Sequence, residues 1–153
     1  MAQALMDYLD PEAILLGVKA ETDRDVIRIL AARLHERGYV KSSFADAVLA
    51  REAQLPTGLP LGGDSNVAVP HTDPEHVLKP GLAFAALAQP VLFSNMENPD
   101  EKLPVSLVFL MAIDDKDKQI EMLQQIAATI QSPEVIAALI AAKSVEDVSR
   151  LLG

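Results

Sequence analysis

The segment Val105-Ser106-Leu107-Val108-Phe109-Leu110-Met111-Ala112-Ile113 constrains the fold more than any other part of the chain. It is almost continuously apolar and is bounded by Pro104 on one side and Asp114-Asp115 on the other. An apolar run of this length between turn signals is the pattern of a strand buried on both faces. It predicts the centre of a sheet that other elements cover on either side.

A second short apolar run, Val67-Ala68-Val69, is too short for a helix and β-branched enough for a buried strand. Pro70 fixes φ and withholds a donor, so pairing should stop there and leave His71 at the strand end. Sites on α/β sheets tend to be built at such ends. A lone histidine is more often a surface residue or a satisfied core residue, so His71 needs support from elsewhere in the chain.

The regions around these strands read mainly as helix. Ile14-Leu15-Leu16 before Gly17 is a candidate edge strand, with Asp10-Pro11 as a turn signal. From Thr22 the residues Val26, Ile27, Leu30 and Leu34 recur at helical spacing, with Thr22 as cap and Gly38 as the stop. His35 falls in the last turn of that helix and reads as a solvated helix-end residue. A second helix follows Ser42-Ser43 and carries Phe44, Ala47, Val48 and Leu55 on one stripe before Pro56. Arg51 lies on that stripe, three residues after Val48 and four before Leu55, so its guanidinium points inward. An inward arginine needs an anion, and Glu52, another carboxylate, or snorkelling of the stem to the surface are the plain structural ways to satisfy it.

Residues 56–65 read as a turn-rich connection. Gly62-Gly63 leads into Asp64 and a strand, not into Lys-Ser/Thr opening a helix, so it is no phosphate cradle. After a polar loop from Thr72 to Pro80, Leu82–Leu87 reads as a strand ending near Gln89-Pro90, with Val91-Leu92-Phe93 as a possible continuation. Beyond Asp114-Asp115, Ile120, Leu123, Ala127 and Ile130 predict a helix face. Ser132-Pro133 opens a further helix through Lys143, and Ser144 starts a last one.

Composition removes several functions. At 153 residues, half of them hydrophobic, one domain with a sizeable core is expected. No window reaches the ~18 apolar residues of a membrane span. The start of the chain, Met1-Ala2-Gln3-Ala4-Leu5-Met6-Asp7, lacks a basic leader, so a cytoplasmic chain without membrane insertion is expected. There is no cysteine for a disulfide, a thiol nucleophile or a thiolate metal site. The five-residue spacing of His71 and His76 does not stack both rings on one helix face, and Lys116 and Lys118 interrupt the Asp114, Asp115, Asp117 cluster, so no metal site is expected. A net charge of −9 with 13 basic residues argues against nucleic acid. A small molecule or a basic protein fits better as partner.

Arg51-Glu52, Pro56-Thr57-Gly58-Leu59 and Val67-Ala68-Val69-Pro70-His71, followed by the Val105–Ile113 strand and a helix, occur in an order that resembles the IIA phosphocarrier domains of the bacterial phosphoenolpyruvate-dependent sugar phosphotransferase system, of the mannitol, fructose and galactitol type. The similarity runs from about Thr22 to Leu152. It implies one α/β domain over residues 1–153, with a mixed sheet of about five strands flanked by helices on both faces. It also implies that His71 takes a phosphoryl group from the phosphocarrier protein HPr and passes it to a cysteine on a IIB component, with a membrane IIC component involved only indirectly. No cofactor is implied. By resemblance His71 is the carrier, phosphorylated at Nε2, and Arg51 is the guanidinium beside it, with Thr57 and Glu52 as supporting residues. The second ring nitrogen would be held by a backbone oxygen or by Thr57.

This chemistry suits the residue types. A histidine of pKa ~6.5 is mostly neutral at cytoplasmic pH and has one ring nitrogen free to attack phosphorus. A planar guanidinium matches the oxygens of the transferring group.

The mannitol branch has a second active-site histidine where this chain has Gln119, and the connection from Arg51 to His71 is longer than in that branch, with Asp64 the candidate for its glutamate. Both features resemble the galactitol branch. For partner contact, Leu59 and Leu61 are candidate apolar docking residues, with Asp64 and Asp73 as acidic neighbours that steer a basic donor. Two other readings remain at this point. One is a regulatory, nitrogen-related IIA-like protein in which phospho-His71 is a signal. The other is a hydrolase with a phosphohistidine intermediate, for which Glu52, Asp64 or Asp73 would be the acid.

Overall fold

The computed structural model describes residues 5–152. Residues 1–4, which begin the stretch read above for a leader, and residue 153 lie outside the described residues. The elements are β1 (Leu9–Val18), α1 (Asp23–Glu36), α2 (Phe44–Gln54), β2 (Gly58–Leu59), β3 (Asn66–Ala68), β4 (Gly81–Ser94), β5 (Lys102–Ala112), α3 (Lys116–Thr129), α4 (Pro133–Ala141) and α5 (Val145–Leu152).

The apolar run organises them as its pattern predicts. The sheet order is β1-β4-β5-β3-β2, which puts β5 in the middle of five strands. It pairs antiparallel with β4 and parallel with β3, while β1 runs parallel to β4 and β2 antiparallel to β3. Successive side chains of β5 enter two separate cores. Val105, Val108, Leu110 and Ala112 pack with α1 and α2, and Leu107, Phe109, Met111 and Ile113 pack with α3, α4 and α5. The second core contains an edge-to-face pair, Phe84 and Phe109, with ring centroids 5.1 Å apart. Both rings are fully buried, so each removes a large apolar area from water.

The helix ends follow local chemistry. The Thr22 side chain accepts from the Asp25 amide, Asp115 from Lys118 and Ser132 from Val135, so each of these helices opens on the cap its sequence supplies. Gly38, at φ +83°, takes the left-handed position that stops α1.

Several expectations are corrected. The edge strand β1 is longer than Ile14–Leu16 and includes Asp10-Pro11 at a register break between Leu9 and Ile14. Proline is tolerated because β1 is an edge, and Asp10 works as a bulge residue, accepting from the Glu12 amide and from Arg37 and Tyr39. Gln89-Pro90 does not end β4. The strand bulges there and resumes pairing at Val91. On α3 the buried residues are Met122 and Ile126, continued by Ile130 beyond its end, while Ile120 and Ala127 are exposed. Apolar residues surround that helix, so spacing alone did not fix its inward face. Leu55 is also exposed, because α2 ends at Gln54 and the chain turns away before completing the stripe.

The connection after α2 contains an element its composition hid. Gly58 and Leu59 pair with Ala68 and Val67, and Gly58 also bridges to Asn95. A Cβ on Gly58 would sit 2.5 Å from the Ser94 carbonyl oxygen, inside van der Waals contact with backbone that cannot rotate aside. Gly58→Ala is therefore expected to cost about 1–3 kcal/mol. Urea denaturation should show a lower midpoint with an unchanged slope, and an unchanged midpoint would contradict the close approach.

Candidate active site

His71 stands where β3 leaves the sheet. The Met111 amide donates to the Pro70 carbonyl at 3.1 Å, so the central strand holds the residue immediately before the histidine. Pro70 confines Val69 to extended backbone, and the Val69 carbonyl then meets the ring of His71, 2.8 Å from Nδ1. A carbonyl only accepts. Nδ1 therefore carries the proton, and in the neutral ring Nε2 is left with its lone pair. The other oxygen considered for this role, that of Thr57, is engaged elsewhere: the Thr57 hydroxyl donates to Glu52 Oε1 at 2.7 Å.

The ring is half-buried, and its electrostatics favour the neutral form. Burial lowers the His71 pKa, the Arg51 charge lowers it further, and the Val69 carbonyl and Asp73 oppose this without reversing it. Asp73, exposed two residues beyond His71, is thus an acidic neighbour of the ring.

Arg51 reaches the same place from α2. Its Nε is buried and is the side-chain nitrogen or oxygen that, among the described buried ones, has no hydrogen-bond partner. Glu52 does not supply that partner. Both of its carboxylate oxygens accept from Thr57, Oε2 from the backbone amide at 2.9 Å and Oε1 from the hydroxyl. The inward arginine is near enough for its charge to act on His71, and its Nε donor is unspent, which suits an anion bound beside the ring.

Gln119, in the first turn of α3, donates from Nε2 to the Thr72 carbonyl at 2.8 Å and fixes the backbone just after the histidine. His76 is taken up structurally. Its Nδ1 lies 2.8 Å from Ser43 Oγ, which ties the loop after His71 to the start of α2. Among the described residues no group of three or more His, Cys, Asp or Glu is placed to hold a metal ion.

Of the docking candidates, Asp73 stays beside the histidine, while Leu59, Leu61 and Asp64 are placed elsewhere. Leu59 is half-buried and packs on the second core. Leu61, whose amide donates to Asn66 Oδ1, and Asp64, in the exposed turn after it, lie at the beginning of β3. Five residues, about 16 Å if extended at 3.3 Å per residue, separate that end from His71. Leu61 instead borders a cavity of about 330 Å³ with Ile130, Pro133 and Ile136. An exposed apolar residue beside the site is Ile120, 54% accessible and next to Gln119. Spacing had assigned it to the core, so the sequence carried no signal for it. A larger cavity of about 500 Å³, at Lys19, Ala20, Glu21, Ala88 and Gln89, opens toward the other end of the sheet.

A half-buried histidine with a free Nε2, near an arginine whose buried Nε has no partner, could accept a phosphoryl group. The family model described as phosphoenolpyruvate-dependent sugar phosphotransferase system, EIIA 2, matches residues 7–153. The chain belongs to this EIIA family. EIIA components of this kind are phosphotransferases that carry a phosphohistidine.

Among EIIA relatives, it is 31% identical over 147 residues to the mannitol-specific EIICBA component of Vibrio cholerae, covering 94% of this chain and 21% of that protein. The chain thus spans about a fifth of the length of that multidomain relative. It is 24% identical over 124 residues to the galactitol-specific EIIA component of Escherichia coli, covering 81% of each. The solved complex of the Escherichia coli mannitol IIA enzyme with its phosphorylated IIB enzyme superposes with a TM-score of 0.74 at 32% identity, covering 92% of this chain and 94% of that one. The mixed sheet of five strands with helices on both faces is the EIIA fold. No helix among the described residues is long and apolar enough to cross a membrane.

The depressed pKa gives a signed expectation. Because the folded ring resists a proton more than the unfolded ring, stability present above pH ~6.5 is lost as the pH falls from there through the folded midpoint. Nitrogen-15 NMR titration should place the His71 midpoint below 6.5, with the Nδ1–H tautomer above it. A midpoint at or above 6.5, or an Nε2–H ring, would contradict the assignment.

Proposed function

We propose that His71 is the phosphoryl carrier of a cytoplasmic IIA domain formed by residues 1–153, charged by HPr and discharged to the cysteine of a IIB component during uptake of a sugar alcohol through a membrane IIC component. The observation that carries this reading is the Nδ1 contact with the Val69 carbonyl, which leaves Nε2 as the nucleophile. In the charging step the Nε2 lone pair attacks the phosphorus of the donor phosphohistidine. The Nε2–P bond forms as the donor N–P bond breaks, and the electron pair of that bond returns to the donor imidazole. His71 keeps its Nδ1 proton on Val69 and becomes cationic, so the carbonyl stabilises the charge that develops. In the discharging step a thiolate attacks phosphorus, the Nε2–P bond breaks, and the neutral ring is restored.

Arg51 provides planar donors for the equatorial oxygens in both steps, and its unpartnered Nε supports that role. Gln119 holds the Thr72 carbonyl without adding a titrating group. Asp73 and Ile120 supply acidic and apolar contacts at the rim for a basic donor. The IIA–IIB complex of the mannitol relative supports a IIB partner, and membership of the family supports HPr as donor. The sugar-alcohol class follows from the mannitol and galactitol relatives. Within that class, Gln119 and the longer loop resemble the galactitol branch, while identity is higher to the mannitol component, 31% against 24%.

Incubation with phosphoenolpyruvate, enzyme I and HPr should add one acid-labile, base-stable phosphoryl group, absent from His71→Ala. Arg51→Lys should fold normally and transfer more slowly by about tenfold or more, since an ammonium cannot reproduce a fork whose charged hydrogen bonds are worth about 1.5–3 kcal/mol each. Label retained by His71→Ala, or wild-type exchange by Arg51→Lys, would refute the respective assignment.

A further inference from the structure

Glu52 is a buried carboxylate, 6% accessible, for which the transfer steps above have no use. An apolar side chain would fill its space without the cost of taking a charge out of water. What the carboxylate adds is two acceptors aimed at one residue, Thr57, which it holds by the backbone amide and by the hydroxyl at 2.9 and 2.7 Å.

Thr57 held in this way presents its carbonyl to the Val69 amide at 3.2 Å. The neighbouring Gly58–Ala68 pair keeps the two segments in register. The Val69 carbonyl, on the next peptide unit, receives Nδ1–H of His71 at 2.8 Å. We propose that Glu52 is a positioning residue for His71, its carboxylate fixing Thr57, and through Thr57 and Val69 the orientation and tautomer of the imidazole. Each link is a separate peptide unit, so the influence is geometric. The proposal rests on the reading of His71 as the phosphoryl carrier, but its first test does not require transfer.

The test compares Glu52→Ala, Glu52→Gln and Thr57→Val in the full chain by the nitrogen-15 spectrum of His71 without phosphoryl donor, and by single-turnover acceptance from phospho-HPr. Glu52→Ala should give a mixture of Nδ1–H and Nε2–H rings. Its acceptance should be about 10- to 100-fold slower, the scale of a small misplacement of a reacting group, with the concentration dependence on donor unchanged. Glu52→Gln should restore one tautomer and most of the rate, because a carboxamide still accepts from the Thr57 amide and can donate to the hydroxyl oxygen. If Glu52→Ala does not fold, Thr57→Val decides. It keeps the amide link, loses the hydroxyl link, and should show the same mixture to a smaller extent.

A His71 that stays wholly Nδ1–H in the folded alanine or valine variant would overturn the proposal. So would mixed tautomers with an undiminished rate, or a glutamine variant as impaired as the alanine one. Failure of the carrier reading would appear separately, as wild-type protein that takes no label on His71.

Discussion

Between Val105 and Ile113 the side chains of β5 are buried on both faces of the sheet, and this fixes the register of everything beside it. A slip of one residue would exchange the contents of the two cores, placing Phe109 and Met111 where Leu110 and Ala112 now pack. A strand so constrained is a rigid support. Its Met111 amide holds the Pro70 carbonyl, and so the position of the histidine at the end of β3 derives from the best-determined element of the fold.

Around that support the site is assembled from segments that have little stability of their own. β2 is two residues long and β3 three. They are held by Glu52 on Thr57, by Thr57 on Val69, and on the far side of His71 by Gln119 on Thr72. The contacts on Val69 and Thr72 act on backbone beside the histidine, and none of them engages Nε2. Arg51 contributes in the opposite way, through a buried Nε with no protein partner. On the proposed reading, a phosphoryl group on His71 would also supply the anion that Arg51 lacks.

Much of this was legible in the sequence where local chemistry decides structure. The buried strand, the Thr22 and Ser132 caps, the inward Arg51 and the strand-end His71 all follow from spacing and residue type. What was not legible depends on direction and phase. Leu61 and Asp64 are close to His71 in sequence, but the loop that holds them enters β3 at its opposite end, and nothing local says so. Ile120 and Met122 are both apolar and both on α3, and only packing against the sheet selects Met122 for the core. Glu52 follows Arg51 and looked like its counter-ion, yet a helix turns adjacent residues about 100° apart, and Glu52 meets Thr57 instead. Gln119 departs from the mannitol pattern in the sequence, but its bond to the Thr72 carbonyl depends on where α3 packs, which no local signal encodes.

The central claim is that the Val69 carbonyl reserves Nδ1 and leaves Nε2 of one histidine to bond phosphorus. Nitrogen–phosphorus coupling tests it most directly, on protein labelled with nitrogen-15 histidine and charged with phosphoenolpyruvate, enzyme I and HPr. The account predicts splitting by phosphorus at Nε2 of His71, with its Nδ1 still protonated and the signals of His35 and His76 unsplit. Splitting at Nδ1 of His71, or at either of the other two rings, would contradict it.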